Sequence, residues 1–162
     1  MKTQHTVVLA GFVFIGHALT AHAQDATDLT PGRIAPANVV QQMQYEAPVR
    51  IGAVSVRPLP QGGQHPLSTD ASQSTLVART TDNLIGVSAN EMVVIEPNAS
   101  AVQKKIAELA ADAAVRLYAG RGITVVRVKR FSDLPALQQR LAEAFPTARF
   151  DLPVMYIENE PH

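Results

Sequence analysis

The sequence contains no cysteine and no tryptophan. The first absence removes disulfide staples, thiolate metal sites and cysteine nucleophiles together. Neither sign of charge is in excess, since fourteen Lys and Arg side chains balance fourteen Asp and Glu. A nucleic-acid binder normally carries a basic surplus, and this chain gives no reason to expect one. Beyond residue 23 only His65 and His162 remain, neither with a second His or a carboxylate at ligand spacing, so no metal site is expected. G-x-S-x-G, S-x-x-K and H-E-x-x-H are all missing, and with them any visible hydrolase machinery. The expectation is a non-catalytic protein without a cofactor.

What is present is apolar. Hydrophobic residues make up 46% and charged residues 17% of the 162 residues, enough to bury a core that offsets the ordering entropy of one domain. Lys2, the apolar run Val7 to Leu19 and the small-x-small triplet Ala21-His22-Ala23 read as an export signal over residues 1–23. Thirteen residues are too few for a ~30 Å hydrocarbon core, which needs roughly 20 in a helix; an uncleaved N-terminal anchor is the alternative. Cleavage after Ala23 predicts a mature chain from Gln24 with no later span long enough to cross a membrane, placing it in the periplasm or outside the cell.

Composition divides that mature chain in two. Residues 24–86 hold Pro31, Pro36, Pro48, Pro58, Pro60 and Pro66 with Gly32, Gly52, Gly62 and Gly63 between them, which leaves little room for helices. Val49 to Val56 and Thr75 to Arg79 predict two short strands, and residues 57–74 an exposed loop. This proline-rich extension is expected to be partly ordered, and its purpose is not readable.

Residues 87–157 carry a dense pattern. Glu91 to Glu96 is an apolar run of strand length stopped by Pro97-Asn98. Ser100, with Gln103 three residues on, predicts a capped helix whose Val102, Ile106, Leu109, Ala110 and Ala113 share a face. Val115 to Tyr118 and Ile123 to Lys129 predict two strands, joined through Ala119-Gly120-Arg121-Gly122, whose glycines can supply the positive φ of a tight hairpin. Ser132 or Asp133 caps a second helix with Leu134, Leu137, Leu141, Ala144 and Phe145 on one side; Pro146 ends it, and Phe150 to Ile157 is the last strand. The order strand-helix-strand-strand-helix-strand predicts an α+β fold, the ferredoxin-like βαββαβ sandwich with both helices on one face of a four-stranded antiparallel sheet. A three-stranded parallel α/β unit is the competitor if the hairpin is misread.

Such a sheet leaves one face uncovered, yet the sequence does not make that face polar. Val126 and Val128 point one way while Ile123 and Val125 point the other, and Met92 and Val94 oppose Val93 and Ile95. Apolar side chains on both faces imply a second cover: the extension, a second copy, or a protein partner.

The residues of this core resemble a known family, the propeptides of subtilisin-type serine proteases. The opening Asn90-Glu91-Met92-Val93-Val94-Ile95-Glu96-Pro97-Asn98-Ala99-Ser100 is similar to that family's first strand and helix start. Ala119 to Val128 is similar to its central hairpin, and Leu137 to Leu141 with Phe145 to Phe150 resembles its helix-to-strand passage. Glu158-Asn159-Glu160-Pro161 resembles the exit. The resemblance covers about seventy residues, 87–157, and leaves residues 24–86 outside it. It implies a chaperone and inhibitor whose open sheet face, through Ile123 and Val125, covers the protease. The tail Ile157, Glu158, Asn159, Glu160, Pro161 and His162 then lies along the substrate cleft like a cleaved product. In that family the protease follows the last strand; here the sequence ends at His162, as in stand-alone versions. Its propeptides often present acids to helix N-termini, whereas Arg116, Arg121, Arg127, Lys129 and Arg130 stand here with no acid from 113 to 132, so the docking details differ.

Other readings of these residues are less specific. The basic run lacks the stacking aromatics of an RNA platform and reads as a charge-protected strand edge. Gly120-Arg121-Gly122 joins two strands and reads as a turn, not a phosphate loop. Glu91, Glu96 and Asp151 have no spacing that demands acid–base work. A periplasmic interaction or envelope-assembly module of the same fold is the alternative function.

Overall fold

The structure, a computed structural model, describes residues 29–45, 47–59 and 74–156. The export signal expected over 1–23, the loop around His65 and the tail Ile157, Glu158, Asn159, Glu160, Pro161 and His162 lie outside the described residues. The described chain is α+β and builds two four-stranded antiparallel sheets.

The first sheet lies in the segment that composition marks as an extension. A short helix, α1 (Ala37–Met43), follows Pro36 and precedes the hairpin β1 (Val49–Ile51) and β2 (Val54–Pro58); β3 (Thr75–Arg79) and β4 (Ile85–Ser88) complete the meander β1-β2-β3-β4. Three expectations are corrected here. Proline does not exclude a helix, because Pro36 stands at its start, where a missing N–H costs nothing. Val49 to Val56 is not one strand, because Gly52, at φ +60, turns the chain so that Ile51 pairs with Val54. Arg57 and Pro58 belong to β2 instead of a loop. β4 also spans residues 86 and 87, the position at which the composition changes.

Side chains of this sheet alternate between two cores. Leu76, Ala78, Ile85 and Val87 pack with Ala35, Val39 and Met43 of the α1 region. Ile51, Val56 and Val77 face the other way and join the core of the second sheet. All four residues of β4 are buried, the pattern of a strand covered on both faces.

The second sheet consists of β5 (Glu91–Ile95), β6 (Ala114–Tyr118), β7 (Ile123–Arg127) and β8 (Arg149–Asp151) in the order β6-β7-β5-β8. Helices α2 (Ala99–Leu109) and α3 (Leu134–Ala144) follow β5 and β7. They pack Val102, Ile106, Leu134, Leu137 and Leu141 on the face that carries Met92, Val94 and Val126. The cap of α2 is Asn98, whose carboxamide oxygen accepts from the Ala101 amide at 3.1 Å, so the helix starts before Ser100. Asp133 occupies the cap position of α3 but spends its carboxylate on Arg130 at 2.9 Å. Ala144, on the expected apolar face, is exposed at the helix end.

Between β6 and β7 the chain makes a short 3₁₀ turn, Ala119–Arg121, and leaves it through Gly122 at φ +63. The last strand is shorter than Phe150 to Ile157: after Asp151 the chain leaves the sheet and crosses to β4, where Met155 bridges Val87. Apolar packing drives the departure, since Leu152 is 2% exposed in the shared core.

Asn90, at φ +57 and 2% exposed, joins the two sheets. Its side chain accepts from Thr75 Oγ1 at 2.8 Å and donates to the Lys129 carbonyl at 3.4 Å. Arg127 Nε donates to the Ala89 carbonyl at 3.0 Å across the same junction.

Candidate functional site

In an antiparallel pair, directly opposed residues share a face. The register therefore builds the outer face of the second sheet row by row. Arg116, Val125, Val93 and Asp151 form one row; Tyr118, Ile123, Ile95 and Arg149 form the next; Ala114, Arg127 and Glu91 form the third. Val93, Ile95, Ile123 and Val125 belong to neither apolar core and are half-buried, and Tyr118 is 49% exposed. Ile123 and Val125, singled out in the sequence, thus stand side by side with Val93, Ile95 and Tyr118, which complete the patch. The N-terminal sheet does not cover it: its inner side chains join the helix-side core, and Gly52 abuts the Phe150 carbonyl on β8.

Charges border this patch. Glu91, with its side chain 17% exposed, takes both Arg116 at 2.9 Å and Arg127 at 3.6 Å. These groups and Val125 line a shallow hollow of about 200 Å³. Acids just outside the basic run answer its last two members: Asp112 meets Lys129 at 3.0 Å, and Asp133 meets Arg130. The Lys129 ammonium hydrogen-bonded to Asp112 holds that carboxyl below its usual range. Glu91, Glu96 and Asp151 do not converge on one another; Glu96 accepts from Thr147 and Asp151 from the Leu152 amide. Among the described residues no three His, Cys, Asp or Glu side chains gather as a metal-binding group.

The second feature is the root of the C-terminal tail. Val87 and Met155 exchange both backbone hydrogen bonds, at 2.7 and 2.9 Å. Tyr156 lies over Gly86, its ring 5.0 Å from the Arg79 guanidinium carbon. Arg79 is itself fixed by Asp82, with Nε donating to Oδ1 at 2.9 Å, and that bond draws the Asp82 carboxyl down to about 2. Burial raises the Tyr156 phenol. Sequence reasoning missed Arg79, Gly86 and Tyr156 as a set, because only the crossing chain brings residues seventy apart together. The tail Ile157 to His162 begins immediately beyond this root.

Among the described residues no helix is long and apolar enough to cross a membrane. Searches against models of protein families, curated proteins and solved structures found no match to this chain.

Proposed function

We propose that this protein is an exported, non-catalytic folding chaperone and product-like inhibitor of a subtilisin-type serine protease, working in the periplasm or outside the cell. The single observation that carries the reading is the open apolar face of the second sheet, with Val93, Ile95, Ile123 and Val125 in two adjoining rows and a partly exposed Tyr118 beside Ile123. The strand order β6-β7-β5-β8, with a helix after β5 and another after β7, supports a ferredoxin-like βαββαβ arrangement for residues 87–157, the arrangement that a likeness to subtilisin propeptides implies.

The physical mechanism follows from that surface. Docking it on the protease buries ~1,600 Å² in total for an interface of standard size. A partner that binds only the native protease stabilises that form by mass action, which is chaperone activity. Glu91 already takes Arg116 and Arg127, so Arg149 is the cation on the face that calls for an acidic group or helix C-terminus opposite it. Ile157, Glu158, Asn159, Glu160, Pro161 and His162 then pair with the cleft backbone to backbone, with Pro161 contributing no amide donor.

The test is inhibition of a panel of bacterial subtilisin-type proteases by residues 24–162, beside the form lacking 158–162 and the face variant Val125→Arg. Tail-dependent inhibition that Val125→Arg weakens supports the reading. Inhibition by neither form overturns it in favour of an envelope-assembly module with another partner.

A further inference from the structure

We propose that the N-terminal sheet is a clamp for the inhibitory tail: β4 and Arg79 fix Tyr156, the residue that immediately precedes the tail 157–162 in the sequence. This rests on the tail-in-cleft reading above, and it assigns a role to the proline-rich half of the chain.

Three contacts define the clamp. The paired backbone bonds between Val87 and Met155 add the chain to the outer edge of β4, beside Gly32 to Ala35, which occupy the rest of that edge through Ile85 and Asn83. At Gly86 the fit allows no side chain, for a Cβ there lies 2.5 Å from Val154 Cγ1 and 2.8 Å from Tyr156 Cδ1. The Tyr156 ring lies under Arg79, which is in turn ion-paired with Asp82. Leu152 and Val154 pack the crossing against the core; an aromatic ring docked beyond them on a paired cation is not needed to fill that core.

The consequence is preorganisation. Six residues, 157–162, extend at most about 20 Å from Tyr156, enough for several residues of extended pairing in a cleft. With Tyr156 clamped, the residue that precedes the tail is already in place, and less freedom is lost on binding than with that residue loose. Arg79, Gly86 and Tyr156 are therefore positioning residues.

The experiment compares residues 24–162 with Tyr156→Ala, Tyr156→Phe, Gly86→Ala and the form lacking 158–162. It reads hydrogen exchange at the Met155 amide, thermal midpoint, and the inhibition constant against a panel protease that the parent chain inhibits. Tyr156→Ala is expected to speed Met155 exchange and weaken inhibition, each about tenfold, with the midpoint held within about 2 °C. Tyr156→Phe, which keeps a ring over Arg79, restores both. Gly86→Ala displaces the segment and matches or exceeds Tyr156→Ala. If Tyr156→Ala leaves exchange and inhibition unchanged while removal of 158–162 abolishes inhibition, the clamp is overturned and the tail reading stands. If inhibition survives removal of 158–162, the tail reading falls and the clamp's role falls with it. A panel in which nothing is inhibited overturns both.

Discussion

The two sheets of this protein have the same number of strands and the same antiparallel pairing, but they are enclosed differently. β1–β4 carries α1 on one face and the shared core on the other, so every residue of β4 is buried. β5–β8 carries α2 and α3 on one face only, and β5 and β7 alternate strictly between buried and half-buried. In an ordinary one-sided sheet the outer positions are polar. Here the middle of the outer face is Val93, Ile95, Ile123 and Val125, with charged residues only around it. The apolar middle of this outer face has no structural use within the described residues, and β1–β4 leaves no comparable face.

If the two sheets share one core, its buried residues must fail together. Leu141→Ala on α3 and Ile51→Ala on β1, both fully buried in the same cluster, are each expected to cost ~2–5 kcal/mol in a single denaturant transition. Two separate transitions would break the comparison by showing two independent units. The seam is probed next by Gly52→Ala, which forces a side chain onto the Phe150 carbonyl at a positive φ. A loss of about 1–3 kcal/mol in chemical denaturation is expected, and a loss below about 0.5 kcal/mol shows that the hairpin is not seated on β8.

Thr124 sharpens the contrast from the helix side. Its hydroxyl is buried with no hydrogen-bond partner among the described residues, so Thr124→Val is expected to stabilise by about 1 kcal/mol, read as a raised thermal midpoint. On the open face Ile123→Ala, at a half-buried position, is expected to cost about 1 kcal/mol, less than Ile51→Ala. A loss comparable to Ile51→Ala means that the face is already covered.

The smallest effect is pH-dependent. The folded pKa of Asp82 is lowered from 3.8 to about 2 by its bond to Arg79, so its contribution is present above the unfolded value and lost as pH falls through the folded one. The gap in thermal midpoint between the parent and Asp82→Asn should close between about pH 4 and pH 2; a gap constant over that window removes the Arg79–Asp82 pair from the clamp.

Local pattern was informative where one element explains one stretch. The β5 run, the apolar faces of α2 and α3, the β3 boundaries and the turn at Gly122 were all legible, because each depends on spacing within a dozen residues. The cap of α2 was read two residues late, since Asn98 follows a proline and looked like part of the stop. Composition misled over residues 29–59, where prolines punctuate short elements instead of abolishing them. Of the candidate site, Ile123 and Val125 were visible as an apolar alternation; Arg79, Gly86 and Tyr156 carried no local signal at all.

The sequence by itself determined the period of each element, the two-sided hydrophobicity of the second sheet and the absence of thiol chemistry, since these are properties of residue type and spacing. Only the tertiary structure brought Glu91 to Arg116 and Arg127 and Asp112 to Lys129, whereas Asp133 meets Arg130 locally, three residues on. It alone decided that the chain after Asp151 leaves one sheet for the edge of the other. Those outcomes depend on loop closure over tens of residues, and on burial of Leu152 in a core that both halves must build before it exists.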